Sequence, residues 1–255
     1  MTSPETTPAG AVRWQDYATV LFDLDGVITP TAEVHMRAWS DMFNAFLAHW
    51  PGDGDTSDYS DDDYFAHVDG KPRYDGVRDL LAARGISLPE GTPDDPPSAE
   101  TVCGLGNRKN DAFNAVLERD GVTAYPGSVL LLDHLRRLGT PLAVVSSSVN
   151  APAVLAAAGL SDRFETVVSG AVASELGLPG KPAPDTFLHA ARELGAEAAT
   201  SVVLEDAVSG VRAGSEGGFG LVIGVDRGAG SQVLRDAGAG VVVTDLAELV
   251  PGGDA

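Results

Sequence analysis

Cysteine is almost absent from this 255-residue chain, which contains only Cys103. A single cysteine cannot form an intramolecular disulfide, so we expect a protein of a reducing compartment, the cytoplasm. Cys103 could be a catalytic thiol, but a small packed apolar residue is the more common role of a free cysteine. The opening residues, MTSPETTPAG, have neither the basic region nor the apolar stretch of a signal peptide, which also favours the cytoplasm.

Basic residues and long apolar runs are scarce as well. The 17 lysines and arginines are outnumbered by 37 aspartates and glutamates, which gives a formal net charge of −20. This charge would repel nucleic acids and anionic membranes, so we expect neither as a partner. No run approaches the roughly 18 apolar residues that a membrane-spanning helix needs. A small anionic substrate stays compatible if local lysines, arginines or a metal ion offset the charge.

Short apolar runs alternate with helical patterns beyond Tyr125. Strand–helix alternation at this spacing predicts βαβ units and a parallel sheet. The apolar runs are LAVVSSS (142–148), TVVSG (166–170), SVVLED (201–206), LVIGVD (221–226) and GVVVTD (240–245). The helical patterns lie near residues 128–138, 150–158, 184–194, 207–217 and 230–237.

A further run of the same character, TVLFDLDGVIT, lies far earlier in the chain, at residues 19–29. Mostly helical sequence separates it from the later runs, with patterns at 32–49, 75–84 and 99–119. We therefore expect a doubly wound α/β core, formed by residues 1–31 and 120–255, that carries an inserted helical cap at about 32–119.

The segment PGDGDTSDYSDDD, residues 51–63, is rich in aspartate. A calcium-binding loop is the specific alternative here. It fails, because Asp58 stands where the sharp turn requires glycine and no glutamate closes the segment. We therefore expect a solvated acidic loop.

Two carboxylates stand where the first apolar run ends. Asp23 and Asp25 are one residue apart and are followed by Gly26. Open α/β sheets place their chemistry at this edge, and paired carboxylates there suit a site with a hard cation and a nucleophilic oxygen. A helix N-cap followed by a turn would use the same residue types, so this segment alone leaves both interpretations open.

The second apolar run ends in Ser146, Ser147 and Ser148, and Asn150 opens the next predicted helix. Hydroxyls and free backbone N–H groups at a helix N-terminus can bind a phosphate. An ordinary Ser/Asn cap explains the same residues equally well. The segment alone therefore predicts either a phosphate site or a cap.

Two later segments would complete a charged site at the same edge. Lys181, in GKPAPD, precedes prolines that fix the backbone, and a lysine among carboxylates can stabilise a transferring phosphoryl group. A lysine before a helix is more often simply solvated. Glu205 and Asp206 end a strand, and with Asp23 and Asp25 they would form an oxygen-ligand site for Mg²⁺. Without a cation, four converging carboxylates would repel one another.

Taken in chain order, DLDGV, a serine after a strand, GKPAPD and a terminal ED resemble the haloacid dehalogenase superfamily. The resemblance implies that Asp23 is a nucleophile that becomes an aspartyl phosphate. It also implies that Asp25 is the general acid and base, with its backbone carbonyl on Mg²⁺. The dehalogenase branch has no need of such an acid, so Asp25 argues against that branch.

The same resemblance assigns phosphate and metal ligands. It implies that Ser146 and Lys181 bind the transferring phosphoryl group. Asp206 would be a direct ligand of Mg²⁺, and Glu205 would lie close to the metal or its waters.

Residues 23–39, DLDGVITPTAEVHMRAW, resemble the β-phosphoglucomutase-like family within this superfamily, as do GLGNRKNDAF and YPGS. In that family a threonine and a histidine, here Thr31 and His35, lie at the hinge between core and cap. A half-buried helix residue is the plainer interpretation of the histidine. The segment SSSVN resembles the family's SxSxN, which implies that Ser148 and Asn150 also contact phosphate.

The cap departs from that family at VDGKPRYDG, residues 68–76. The mutases carry a KGxSR-like segment whose arginine binds the phosphate that is not transferred. Arg73 keeps the spacing of that arginine, and Lys71 and Lys109 could supply further positive charge. Asp69 stands where the first lysine would be, which leaves the exact substrate open.

The resemblance favours a Mg²⁺-dependent phosphomutase that interconverts β-glucose 1-phosphate and glucose 6-phosphate through an aspartyl phosphate and a sugar bisphosphate. The same core residues would serve a phosphatase acting on a sugar or cyclitol phosphate. A non-catalytic sugar-phosphate sensor is the alternative from a different class. We expect a small phosphorylated sugar as the partner and a monomeric protein.

Overall fold

The computed structural model describes residues 12–251, which form two compact units. One unit contains the described residues of Met1–Pro30 and Val122–Ala255, and the other is Thr31–Gly121. The opening residues MTSPETTPAG, on which the expectation about a signal peptide rests, lie outside the described residues. Within residues 12–251, no helix combines the length and the apolar character needed to cross a membrane.

The first unit is built on a parallel sheet, in which six strands are described. In chain order the strands are β1 (Thr19–Phe22), β2 (Leu142–Val145), β3 (Thr166–Val168), β4 (Ser201–Glu205), β5 (Leu221–Val225) and β6 (Val241–Val243). Their spatial order is β3-β2-β1-β4-β5-β6, so the order reverses beside β1. Ligand sites of open α/β sheets lie at such a reversal. The predicted doubly wound α/β class is confirmed.

The second unit is helical. Its helices are α1 (Thr31–Leu47), α2 (Asp61–Asp63), a π-helical turn (Tyr64–Val68), α3 (Arg73–Ala83) and α4 (Val102–Asp120). Helix α4 packs on both α1 and α3. Their apolar faces meet in one cluster that includes Phe43, Leu80 and Leu105. Helices α1, α3 and α4 have apolar residues at the spacing of a single buried face, which is why the sequence predicts them.

The acidic segment is less loop-like than its composition suggests. Ser60 and Asp63 form a capping box that starts α2, in which Ser60 Oγ accepts from the Asp63 amide at 3.2 Å. Buried Arg84 then donates to the carbonyls of Ser57 and Asp58 and to the Asp63 carboxylate. The prediction of a solvated loop through residue 63 is wrong at this end, because a buried guanidinium anchors the segment.

Helices flank the sheet of the first unit. They are α5 (Pro126–Leu138), α6 (Ala151–Ala157), α7 (Gly170–Glu175), α8 (Asp185–Glu193), α9 (Val208–Glu216) and α10 (Ser231–Asp236). Short 3₁₀ turns lie at Trp14–Asp16, Ser161–Arg163, Ala198–Thr200 and Leu246–Leu249. Leu21 and Val203 of the central strands pack against Phe187 of α8 in a common core. Burial on both faces explains why these strands are apolar runs.

Candidate active site

The chain turns sharply where β1 ends. The Asp23 amide still donates to the Leu204 carbonyl at 2.9 Å, which continues the pairing with β4. The Leu24 carbonyl then accepts from the amides of Ile28 and Thr29, at 2.9 and 3.0 Å. We call residues 24–29 the catalytic turn. Asp23 directly precedes this turn and Asp25 lies within it, so both residues are at the carboxyl edge of the sheet.

Gly26 is the residue of the catalytic turn that tolerates no side chain. Its φ is +83°, a conformation that favours glycine. A β-carbon at this position would also lie 1.8 Å from Oδ2 of Asp206. The carboxylate of Asp206 therefore lies directly against the backbone of the catalytic turn, as the shared sheet edge predicts.

Lys181 is the centre of the site. Its Nζ lies 2.5 Å from Asp23 Oδ1, 2.6 Å from Glu205 Oε1 and 3.0 Å from the Val145 carbonyl, so its three N–H groups are all used. The side chain is buried, which excludes the solvated alternative for this lysine. Desolvation opposes the charge, but Asp23 and Glu205 together hold the pKa of Lys181 above its ordinary value.

Glu205 is fully buried at the end of β4. Its Oε1 accepts from Lys181, and its Oε2 accepts from the Ala207 amide at 2.9 Å. Gly210, on α9, makes room for this carboxylate, since a β-carbon there would lie 1.7 Å from Oε1. The carboxylate is thus fixed by a cation on one side and a backbone amide on the other.

Three carboxylates lie together at the edge. Oxygens of Asp23, Glu205 and Asp206 are all within 4.8 Å of one another. Burial raises the pKa of Asp23 well above its ordinary value; Lys181 lowers it, and the neighbouring Glu205 and Asp25 raise it further. When all three carboxylates are ionised, the one positive charge of Lys181 offsets only part of their negative charge.

Asp25 does not join that cluster of described residues through its side chain. Its Oδ2 lies 3.4 Å from Ser146 Oγ, at the end of the neighbouring strand β2. Asp25 still lies near enough to Asp23 to raise the pKa of that carboxyl, so the expected site of four carboxylates stays a prediction. Asp25 lies inside the catalytic turn rather than at the strand end, so its carboxylate points to the serine segment instead.

The serine segment is held by hydrogen bonds within its own loop. Ser146 Oγ accepts from the Ser148 amide at 3.1 Å, and Ser148 Oγ accepts from the Asn150 amide at 3.1 Å. These side chains therefore brace the loop before α6, and the phosphate-binding role of the segment stays a prediction. The Asn150 side chain makes no capping hydrogen bond to this helix, and Ser147 is half-buried beside it.

The predicted hinge residues lie in the helical unit. Thr31 is the first residue of α1 and is buried, and His35 lies one turn later. The ring of His35 stacks on Phe113 with centroids 4.0 Å apart, and its Nδ1 contacts Lys109 Nζ. Lys109 is itself buried, with its Nζ 4.8 Å from the centre of the Trp39 ring. Lys109 is thus engaged inside this unit, among aromatic rings.

Arg73 begins α3, and Lys71 lies two residues before it. Lys71 Nζ forms an ion pair with Asp79 at 2.7 Å. Arg73 Nη2 donates to the Tyr74 hydroxyl at 2.7 Å, while its Nε is buried without a hydrogen-bond partner among the described residues. Among the described residues, Arg73 therefore has a buried donor nitrogen without a hydrogen-bond partner, whereas the ammonium of Lys71 is paired.

Comparison with known proteins identifies the family of this chain. The family model for haloacid dehalogenase-like hydrolases matches residues 17–218. A protein of Mycobacterium tuberculosis named β-phosphoglucomutase is 48% identical over 236 residues, which cover 90% of each chain. A Bacillus subtilis protein of the same name is 30% identical and also covers 90% of each chain.

The chain belongs to the β-phosphoglucomutase-like family of the haloacid dehalogenase superfamily. The superfamily expected from the four core motifs and the family expected from residues 23–39 are thereby confirmed. A crystal structure of β-phosphoglucomutase from Clostridium difficile superimposes with a TM-score of 0.73 and covers 92% of this chain and 93% of its own. Its identity to this chain is 23%, so it shows that the fold is shared.

One residue beside the site of this haloacid dehalogenase-like chain was missed from the sequence. Arg227 follows β5, and its Nε donates to the Gly26 carbonyl of the catalytic turn at 2.8 Å. Its Nη1 donates to the Thr244 carbonyl at 2.9 Å, and its guanidinium lies 4.0 Å from the centre of the Tyr125 ring. The only signal in the sequence is an arginine directly after LVIGVD, which by itself predicts nothing about its contacts.

Proposed function

We propose that this chain is a Mg²⁺-dependent β-phosphoglucomutase, which interconverts β-glucose 1-phosphate and glucose 6-phosphate through a sugar bisphosphate. The observation that carries the proposal is its 48% identity to a protein of that name over nine-tenths of both chains. The geometry of the core supports phosphoryl transfer by a carboxylate, which is the chemistry that this activity requires.

In this proposal Asp23 is the nucleophile. Lys181 fixes one of its oxygens, and the other attacks phosphorus. As the new bond to phosphorus forms, the bond from phosphorus to the sugar oxygen breaks, and the phosphoryl group stays on Asp23. The positive charge of Lys181, fixed beside Asp23, and the hydroxyl of Ser146 would stabilise the negative charge that concentrates on the phosphoryl oxygens in the transition state.

Asp25 moves the proton in both halves of the proposed cycle. In the first half, the phosphoryl group on Asp23 passes to the C6 hydroxyl of β-glucose 1-phosphate, and Asp25 accepts the hydroxyl proton. The bisphosphate then reorients. In the second half, Asp23 takes the C1 phosphate and Asp25 protonates the departing oxygen, which leaves glucose 6-phosphate. The 3.4 Å contact with Ser146 supports a fixed position for this carboxylate.

The carboxylate cluster fits Mg²⁺. Its donors are hard oxygens, within 4.8 Å of one another, and Lys181 alone does not balance their charge. Asp23, Asp206 and the backbone carbonyl of Asp25 would hold the ion, with Glu205 near its waters. Bound there, Mg²⁺ would neutralise charge on the transferring phosphoryl group.

Arg73 distinguishes a mutase from a phosphatase in this proposal. A mutase must bind a phosphate that is not being transferred, and a guanidinium can do so with two parallel hydrogen bonds. The buried, unsatisfied Nε of Arg73 supports this role. The binding energy of that second phosphate helps a sugar hydroxyl, rather than water, to accept the phosphoryl group.

The monomeric state and the cytoplasmic location stay predictions from the sequence.

Phosphorus NMR tests the proposed activity. The purified protein is mixed with Mg²⁺ and β-glucose 1-phosphate, and the reaction is primed with a trace of the 1,6-bisphosphate. Glucose 6-phosphate without free phosphate is the expected product. Free phosphate as the only product would make the chain a phosphatase, and the absence of turnover with several phosphosugars would favour a sensor.

Substitution of Arg73 tests the second phosphate site. We expect Arg73→Ala to lower kcat/KM for isomerisation by on the order of 100-fold, because a charge-assisted phosphate contact is lost. Hydrolysis of a small aryl phosphate should change little, since that substrate has one phosphate. Arg78→Ala, on the same helix, is the matched control, because Arg78 is occupied by Asp75 and Glu90. An equal loss of activity towards the sugar phosphate and the aryl phosphate would show that Arg73 does not bind the phosphate that is not transferred.

A further inference from the structure

Arg73 is held by the side chain that follows it in sequence. Its Nη2 donates to the hydroxyl of Tyr74 at 2.7 Å, and its guanidinium carbon lies 4.7 Å from the centre of the Tyr74 ring. Two different interactions, a hydrogen bond and a cation–π contact, therefore restrict the guanidinium. Its Nε stays without a partner among the described residues, so a donor is left for a ligand.

The hydroxyl of Tyr74 is in turn held by Asn107 of α4. It donates to Asn107 Oδ1 at 2.8 Å. The amide nitrogen of Asn107 donates to the carbonyls of Pro93 and Asp95, at 3.0 and 2.8 Å. Because both amide N–H groups face carbonyls, the amide oxygen must face Tyr74. The tyrosine must then donate to Asn107 and accept from Arg73.

The direction of every hydrogen bond in this series is thus determined. The series runs from Arg73 through Tyr74 to Asn107 and ends on two backbone carbonyls. Gly106 closes the packing, since a β-carbon there would lie 2.7 Å from Cδ1 of Tyr74. The ring is therefore pressed against the backbone of α4, and its hydroxyl has little freedom. A guanidinium at the end of such a chain is ordered before any ligand arrives.

We propose that Tyr74 and Asn107 are positioning residues that fix the guanidinium of Arg73 for a substrate carrying a second phosphate. The inference rests on the proposed function, in which Arg73 binds the phosphate that is not transferred. A flexible arginine loses rotamer freedom when it binds, and this lowers affinity. Ordering by Tyr74 and Asn107 removes much of that cost. The pair therefore sets the preference for sugar phosphates and sugar bisphosphates over small aryl phosphates, which offer no second phosphate to Arg73.

Tyr74→Phe is the decisive variant, because it removes the hydroxyl and keeps the ring. We expect KM for β-glucose 1-phosphate, and the bisphosphate concentration for half-maximal activation, to rise roughly five- to tenfold. The kcat for isomerisation and kcat/KM for a small aryl phosphate should stay within about twofold. Tyr59→Phe is the matched control in the same unit, since the Tyr59 hydroxyl has no hydrogen-bond partner among the described residues.

A double-mutant cycle tests whether the two residues act as one chain. Asn107→Leu should raise the same KM by a similar factor, and the Tyr74→Phe/Asn107→Leu variant should add little to either single change. Additive effects would show that Asn107 acts independently of Tyr74 and would overturn the proposed connection. Equal losses for the sugar phosphate and the aryl phosphate would assign the pair to folding alone.

Comparison with Arg73→Ala separates the two proposals. If Arg73→Ala impairs isomerisation selectively and Tyr74→Phe leaves KM unchanged, the positioning role is overturned while the proposed function stands. If Arg73→Ala itself has no selective effect, the second phosphate site fails first. A melting temperature like that of the wild type for Tyr74→Phe would show that the KM change does not come from unfolding.

Discussion

At the scale of single residues, the core site contains more carboxylates than basic side chains. One lysine, Lys181, is buried with Asp23 and Glu205 and makes short contacts to both. Asp206 adds a third carboxylate within 4.8 Å. Buried charges are tolerated when they are paired and hydrogen-bonded, and a cluster with excess negative charge gains from a divalent cation. The same imbalance that would weaken a purely structural cluster suits one that receives Mg²⁺ and a phosphoryl group.

Arg227 provides a prediction at this scale. Its bond to the Gly26 carbonyl fixes the catalytic turn that carries Asp25. We expect Arg227→Ala to lower kcat/KM for the sugar phosphate and for a small aryl phosphate equally, by roughly tenfold, because a charge-assisted hydrogen bond to the turn is lost. Steady-state kinetics with both substrates measure this effect. Arg235→Ala, an exposed arginine of α10, should leave both rates unchanged.

Arg227→Lys sharpens the same prediction. A lysine keeps the charge but cannot reach the Gly26 and Thr244 carbonyls with one planar group, so only part of the activity should return. Activity of Arg227→Ala equal to that of Arg235→Ala would show that the turn holds its position without this contact.

At the scale of elements, the strands were predictable because burial on both faces makes them apolar runs. The described order β3-β2-β1-β4-β5-β6 is that of a doubly wound sheet, the class that the alternation of strands and helices predicts. Helix α7 was not predicted, since Gly170–Glu175 is too short to show a helical period. Helix α2 was missed for another reason: its three aspartates have no apolar face, and the capping box with Ser60 is its only local signal.

Some residues of the candidate site could likewise be predicted from the sequence, and others could not. Residues that end strands, such as Asp23 and Asp206, could be predicted because their place in the sheet follows from the strand pattern. Arg227, Tyr74 and Asn107 could not. Their contacts join segments that are distant in sequence, and no periodicity encodes which side chain meets which carbonyl. The sequence therefore predicts the reacting groups better than the residues that hold them in place.

Helix α9 gives a prediction at the element scale. In an ordinary helix interior, Gly→Ala stabilises by up to about 1 kcal/mol. At Gly210 the added carbon would meet Glu205 Oε1 at 1.7 Å, so the carboxylate would have to leave Lys181. We expect Gly210→Ala to lower both the melting temperature and kcat/KM for an aryl phosphate, the latter by more than about tenfold.

Gly214→Ala, on the same helix, is the matched control. Its nearest neighbours would be methyl groups of Val222 and Val203 at 3.0 to 3.3 Å, which are remote from the carboxylate cluster and can shift slightly. Activity should therefore be retained in this variant. A Gly210→Ala protein as active as Gly214→Ala would mean that Glu205 need not hold Lys181.

At the scale of the whole molecule, the net charge of −20 affects every measurement of stability. Repulsion between so many like charges destabilises the folded state, and salt weakens this repulsion by screening the charges. Any effect of Mg²⁺ must therefore be separated from a general effect of ionic strength. The contacts of the carboxylate cluster allow that separation, because a bound ion acts at one place and screening acts everywhere.

The last prediction uses this difference. We expect MgCl₂ to raise the melting temperature more than NaCl at equal ionic strength, because an ion that binds only the folded state stabilises it by about 2.7 kcal/mol at 100 times its Kd. Differential scanning calorimetry without substrate measures the excess. Asp206→Asn should remove the excess and keep the common salt effect, since it takes away one carboxylate of the cluster. Equal melting temperatures in the two salts for the wild type would show that the cluster does not bind Mg²⁺ in the absence of substrate.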